Sequence, residues 1–466
     1  MTTLIGFLLI GVAAYFLSFR LAPAAFRGAL RLLGFTGKLN PLTERRIARF
    51  RRIRRGYGAF VLIVTAFVAS LFLELFVNDL PLYIRYGDKA RFPAVAAWSG
   101  FVLPWTSPKT DLMAADYGLK AGGGLETRKF AAWVGDPAKL TEEANAIEQG
   151  IVDDEKRFRT VMQQQAQTKG LTYDPTLPLP DAKLADYAER RENAKALLAL
   201  QKDLQAGKAQ IVMPLWPYSP TEQLLGLPGT PPHKPFTPGV PLLGTDSAGH
   251  DVVAQLLYGF RVGMGFALMV TISGYLIGVV AGALMGFYGG WIDIGMQRFI
   301  EIWGSLPFFF IIMILASILQ PNFWVLSFLL IVLAAWEGIT YTMRGEFYRE
   351  RSRDYVQAAR ALGVRDWKLM LRHILPNALV PIVTLAPFSI VGNMSTLVAL
   401  DYLHFGLPPN TPSWGALLDQ GANNIVNHPQ LVFIPTLAFA GTLLCVVLVG
   451  EAVREAFDPK RYARLR

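Results

Sequence analysis

The chain has 466 residues, 52% hydrophobic and 17% charged, with a mean hydropathy of +0.33, a balance too apolar for an ordinary soluble globular protein. Its formal charge of +10 does not point to nucleic acid, because Lys and Arg gather beside apolar runs and form no extended patch interleaved with aromatics. The one cysteine, Cys445, lies inside an apolar run, which excludes an intrachain disulfide and a Cys-rich metal site.

Seven stretches of roughly 17 to 25 apolar residues can cross a bilayer as helices, near 2–19, 58–77, 261–287, 298–319, 323–343, 376–400 and 431–453. The first lacks a basic leading region and a small-x-small cleavage pattern, so it reads as a retained span. In the third, Gly274, Gly278, Gly282 and Gly286 recur every fourth residue and form one stripe. That spacing lets membrane helices approach closely, and helix packing is favoured over a substrate-facing role.

Between the second and third spans lies the long region 78–258. Residues 138–168 (Ile147, Ile151, Phe158, Val161, Met162) and 181–206 (Leu184, Tyr187, Ala188, Ala194, Leu197, Leu198) carry apolar positions near a 3.6-residue period among many charges. The breaker-rich KGLTYDPTLPLP separates them, which predicts an antiparallel helical hairpin over about 138–207. The Pro-rich stretch 214–241 cannot continue a helix and reads as an extended connector.

Orientation follows from the short loops. Arg20 to Arg55 holds a dense run of Arg and Lys against the single acid Glu44, the segment Arg344–Arg372 is similarly basic, and no Lys or Arg occurs between Arg372 and Arg454. The positive-inside rule then places the N-terminus outside, 401–430 outside and the basic tail inside, and the topology puts 78–258 outside as well. The expected division is 1–57 as an extra N-terminal span and basic linker, 58–77 as the first core span, 78–258 as an extracytoplasmic region, and 259–466 as a membrane core with a cytoplasmic loop 344–375.

Motifs of self-contained chemistry are missing. GxxxxGK[ST], HExxH and GxSxG do not occur, and the five histidines show no short metal-ligand spacing. The carboxylates at span depth are Glu74, Asp293, Glu301 and Glu337, each towards a span end, and Glu301 has Arg298 one turn away. Interfacial or paired structural roles are favoured over a proton relay.

The segment RSRDYVQAARALGVRDWKLMLRHILPNAL, Arg351 to Leu379, is the informative one. Helix formers run from Asp354 to Leu362, Gly363 can turn the chain, and Val364 to Ile374 can resume as a second helix ended by Pro376. A basic helix–Gly–helix knob of this kind docks against something, and Ala359 is expected on its apolar contact face.

Gln357-Ala358-Ala359-xxx-Gly363 followed by Leu375-Pro376 resembles the EAA loop of binding-protein-dependent ABC import permeases, with Gln357 where the consensus has Glu. The RHILPN form at Arg372–Asn377 is typical of the oligopeptide and dipeptide branch. Gly244-Thr245-Asp246-xx-Gly249-His250-Asp251 resembles the GTDxxGRDV signature of that branch, His250 replacing Arg, and FYGGWIDIGMQRFIEIWGSLP and LDYLHFGLPPNTPSWGALLDQGANN are similar to it too. Within the branch the YejE-type permeases of peptide and microcin C import match best, over about 58–110 and 214–460, leaving 1–40 and 110–213 as additions.

The resemblance implies an all-α integral membrane protein with six core transmembrane helices plus one N-terminal helix. It implies a second homologous permease, two ATPase domains or a fused tandem ATPase, an extracytoplasmic peptide-binding protein and the lipid bilayer as partners. No cofactor is expected on this chain, since ATP is bound by the partner subunits, and no residue is catalytic. Asp354, Tyr355, Gln357, Ala358, Ala359, Leu362 and Gly363 carry over as the coupling segment. A proton-driven secondary carrier, a membrane-anchored docking protein, and an importer of nickel chelates or opines are the alternatives. The topology is checked in a Cys445→Ser background: Gln149→Cys should react with a membrane-impermeant thiol reagent in intact cells and Arg353→Cys only after lysis, and labelling of the latter in intact cells overturns it.

Overall fold

The computed structural model describes residues 2–21, 41–102, 110–119, 124–168 and 179–457. The chain divides into two compact units, Met1–Leu71 with Pro220–Arg466, and Phe72–Ser219. The second unit is narrower than the 78–258 stretch expected, because the Pro-rich connector belongs to the first. Gln255 Nε2 donates to the Pro220 carbonyl at 2.6 Å and Leu224 N to that of Gly249 at 2.9 Å.

The first unit opens with α1 (Thr2–Phe16), which runs into a π turn at Leu17–Leu21, followed by α2 (Pro41–Arg52) and α3 (Arg54–Ser70). The chain bends by 96° between α2 and α3.

The unit Phe72–Ser219 contains α4 (Leu73–Phe76), β1 (Tyr83–Tyr86), β2 (Lys89–Arg91), α5 (Pro93–Val102), α6 (Thr127–Gly135), α7 (Ala138–Thr168), α8 (Asp181–Gln205) and β3 (Ala209–Val212). The strands form an antiparallel sheet in the order β2-β1-β3, with Ile84 opposite Arg91 on one side and Ile211 on the other. These strands of three or four residues are too short to show a period in the sequence. Helices α7 and α8 run antiparallel, since Gln201 bonds Thr141 while Lys183 bonds Asp154. Leu140, Ala144 and Ala194, Leu197, Leu200 are buried in one core with Phe130 and Trp133 of α6. Val161, Met162 and Leu184, by contrast, are exposed. Residue 154 lies opposite 183, so the last turns of α7 run past the first residue of α8 and, among the described residues, are not faced by α8 there.

The remainder of the first unit comprises α9 (Val252–Tyr288), α10 (Gly290–Gly304), α11 (Phe308–Leu319), α12 (Phe323–Leu330, continued by a π turn Ile331–Ala335), α13 (Glu337–Arg351), α14 (Asp354–Ala361), α15 (Asp366–Tyr402), α16 (Trp414–Asn423) and α17 (Gln430–Phe457). Helices α9, α15 and α17 are each long and apolar enough to cross a membrane, and three bent pairs (α2–α3, α10–α11 and α12–α13) raise the number to six. Helix α1 and the π turn after it include a shorter apolar helix, Ile5–Arg20.

Three expectations change. The span at 298–319 is broken, with a 68° bend between α10 and α11 where Pro307 has no N–H to carry the helix on. The span at 323–343 bends by 45° after its π turn. Pro376 does not end a helix: α15 passes straight through it. The chain widens into a π turn at Leu369–Ile374 just ahead of the proline, where an ordinary turn would press its ring against the carbonyl four residues back.

The glycine stripe sets the packing of α9. A Cβ on Gly274 would lie 2.6 Å from Ala335 Cβ, on Gly278 2.3 Å from Ile339 Cγ2, on Gly282 2.5 Å from the Thr340 carbonyl oxygen, and on Gly286 2.4 Å from that of Arg344. All four glycines face the backbone of α12 and α13, so the packing reading of the stripe holds. Gly278→Ala and Gly282→Ala should each cost about 1–3 kcal/mol by overpacking, seen as a lower thermal midpoint in detergent. Gly265→Ala, whose Cβ would meet nothing within 4 Å, should not lower it.

Candidate coupling site

Helix α14 is the exposed knob between two membrane helices. Arg353 is extended and precedes it, Asp354 sits in its first turn and Arg360 in its last, charges placed favourably for the helix dipole. It ends in a Schellman turn: Gly363 N donates to the Arg360 carbonyl at 2.9 Å and Val364 N to that of Ala359 at 3.2 Å. Gly363 has φ +77°, a conformation only glycine adopts readily.

The two faces of α14 differ. Asp354, Tyr355, Gln357, Ala358, Leu362 and Gly363 are exposed, Leu362 by 84%. Val356 and Ala359 are buried against Phe287 of α9, Phe347 of α13 and Leu369 and Ile374 of α15. The expectation for Ala359 is therefore corrected. It does not lie on an outward contact face but fills the subunit's own core, because the Schellman turn points it back at the spans.

Polar contacts pin the knob from several sides. Arg351 Nη1 donates to the Phe287 carbonyl at 2.9 Å, at the end of α9, and the Arg360 guanidinium lies 5.2 Å from the Phe287 ring centroid. Tyr355 Oη donates to Glu350 at 2.7 Å and accepts from Asn377 at 3.0 Å. Partial burial and the Glu350 carboxylate push the Tyr355 phenol above its usual range. Gln357 Nε2 donates to the Arg351 carbonyl at 2.9 Å, a bond that a glutamate in its place could not make when ionised.

The second motif sits at the other end of α9. Asp251 is the N-cap of that helix, its Oδ2 accepting from Ala254 N at 2.8 Å. Asp246, 1% exposed, accepts from Ala248 N at 2.9 Å and His250 N at 2.7 Å and meets His250 Nδ1 at 2.9 Å. Thr245 Oγ1 accepts from His233 N at 3.0 Å. Gly244 and Gly249 have φ of +79° and +88°, and a Cβ on Gly244 would lie 2.2 Å from the His233 carbonyl oxygen. Gln420 of α16 reaches Ser247 N at 2.9 Å. Gly244, Thr245, Asp246, Gly249 and Asp251 thus build a cap that begins α9 and ties it to α16. The 37 residues of α9 separate this cap from the knob, roughly 55 Å along the helix.

The span carboxylates Glu301 and Asp293 take structural partners. Arg298 donates to Glu301 at 2.6 Å, the pairing the sequence suggests. Asp293 accepts a two-pronged bond from Arg344, at 2.5 and 2.8 Å, which joins α10 to α13. Glu74 is buried in the other unit, and Glu337 stands beside Gly304 at the break between α10 and α11. Among the described residues no three His, Cys, Asp or Glu side chains come together to hold a metal ion.

Sequence reasoning missed a further cluster. Asp401 at the end of α15 accepts from Leu407 N at 2.7 Å and from the Ser413 hydroxyl, and Ser413 caps α16. Trp414 Nε1 donates to the Leu256 carbonyl at 3.0 Å, seating α16 against α9. The signal for it lay in the LDY…PSWG segment, whose residues bond at separations no local period reveals.

Residues 278–461, which include the knob, match the model of the family described as binding-protein-dependent transport system inner membrane component. The peptidoglycan transport system permease protein YejE of Agrobacterium fabrum is 33% identical over 91% of this chain and 95% of its own length. The inner membrane ABC transporter permease protein YejE of Escherichia coli is 35% identical over 91% of this chain and 99% of its own. The chain belongs to this permease family. The oligopeptide transport system permease protein OppC of Haemophilus influenzae is 32% identical, over 48% of this permease and 72% of its own length.

The extent of the YejE matches corrects one expectation. They leave out less than a tenth of this permease, fewer residues than 110–213 alone, so most of that stretch lies inside the match with the YejE relatives and not outside it. In the permease the Gly363→Val change should cost roughly 1–2 kcal/mol of stability through backbone strain, read as a lower thermal midpoint, although the added Cβ itself would meet nothing within 4 Å.

Proposed function

We propose that this permease is the membrane subunit of an ATP-driven peptide importer, that α14 seats in a partner ATPase, and that α9, α13 and α15 carry the ATPase movement into the translocation pathway. One observation supports this most: a single apolar core contains Val356, Ala359 and Leu369 of the loop together with Tyr275, Met343 and Ala378 of the spans. Packed side chains of this kind move together, so displacement of the knob displaces the helices. The relatives' names support a peptide as substrate. They include oligopeptide, glutathione and dipeptide transport system permeases.

The working complex contains a second homologous permease, two ATPase domains or a fused pair that bind the ATP, and an extracytoplasmic peptide-binding protein. By the charge distribution the N-terminus and the stretch 78–258 lie outside, the C-terminus and the knob in the cytoplasm. Within 344–375 the outward residues Ala358 and Leu362 are the docking contacts.

Ala358→Asp and Leu362→Asp should leave the subunit's thermal midpoint unchanged, since both residues are exposed, while ATP hydrolysis by the reconstituted complex loses its stimulation by peptide-loaded binding protein. Ala359→Asp should lower the midpoint as well, because it buries a charge in the subunit's own core. Full peptide uptake into proteoliposomes without any ATPase would sink the proposal.

A further inference from the structure

Helix α2 turns by 96° from α3, so with α3 spanning the membrane α2 runs along the membrane plane. Its aromatic side is anchored inward: Phe50 packs on Tyr57 and Phe60 with ring centroids 6.0 and 5.6 Å apart, and the Arg46 guanidinium lies 5.1 Å from the Phe457 ring centroid of α17. Its other side is cationic. Arg45, Arg51 and Arg52 are exposed, Arg54 and Arg55 continue the series, and among the described residues no carboxylate pairs with any of them.

Helix α3 sets the depth of these charges. Its apolar run starts directly after Arg55, so the arginines stand where hydrocarbon gives way to headgroups. Phe50 and Tyr57 supply interfacial aromatics at the same level. The cavity beside Arg55 and Arg454 also carries Glu451 and Glu455 and is close to neutral, so it is not included.

We propose that the exposed arginines of α2 bind the phosphate groups of anionic phospholipid and fix α3 and α17 to the bilayer surface. A guanidinium matches phosphate in a planar, two-pronged way, and each basic residue near an anionic surface is worth roughly a fivefold preference. An acidic protein face would attract the same charges. The placement of α2 along the membrane plane, at headgroup depth, favours lipid.

The test uses the purified full chain in mild detergent, titrated with phosphatidylglycerol, phosphatidylcholine or inorganic phosphate, with bound lipid read by native mass spectrometry and stability by thermal midpoint. Phosphatidylglycerol should be retained and raise the midpoint, phosphatidylcholine and inorganic phosphate should not, and about 0.5 M salt should weaken the effect. The combined Arg45→Gln, Arg51→Gln and Arg52→Gln variant should bind phosphatidylglycerol on the order of one hundredfold more weakly. The three matching Arg→Lys changes should keep most of the binding. If the triple Gln variant does not fold, Arg45→Gln alone should show a roughly fivefold loss. Equal retention of phosphatidylcholine, saturation by inorganic phosphate, or unchanged lipid binding in the Gln variants would overturn the proposal. So would loss of partner subunits when the Gln variant is purified as the full complex, with lipid binding intact, which would assign the face to protein.

Discussion

The contact on which the permease rests is the approach of the α9 backbone to the backbone of α12 and α13 along four glycines. In a bilayer no hydrophobic drive pulls two apolar helices together, so close van der Waals contact has to do it. The stripe provides that contact from Gly274 to Gly286 and leaves no tolerance for a methyl group. Everything at the end of α9 inherits its position from this seam: the Phe287 carbonyl that Arg351 caps, the Phe287 ring beneath Arg360, and through them the whole knob.

The two recognised motifs are the two ends of one rod. At the start of α9 the Thr245–Asp246–Asp251 cap fixes the helix by side-chain acceptors and left-handed glycines and links it to α16. At its finish α14 packs through Val356 and Ala359. A helix held at both ends and zipped along its side passes a displacement at one end to the other without absorbing it, which is the mechanical requirement of the proposed importer. The spans α10–α11 and α12–α13, by contrast, are bent by 68° and 45°.

Much of this was legible in the sequence because it depends on local spacing. The four-residue glycine period, the Arg298–Glu301 pair and the turn at Gly363 are all set within one or two helical turns. The direction of Ala359 was not, because it depends on how the Schellman turn aims the short helix at Phe287 and Leu369, far off in sequence. Pro376 misled for a related reason: proline's effect on a regular turn is local knowledge, whereas the π turn that accommodates it is a property of the folded helix. The Asp293–Arg344 and Asp401–Ser413 contacts join elements that only the fold brings together.

The separation of inward from outward residues on α14 has an evolutionary consequence. Val356 and Ala359 answer to the subunit's own core, while Ala358 and Leu362 answer only to whatever they touch outside. Drift at the outward positions carries no folding penalty, so if α14 docks on an ATPase as proposed, recognition of one ATPase over a paralogue can change by a few substitutions there. A cell with several transporters of this family can keep their motors from cross-assembling without redesigning a single membrane span.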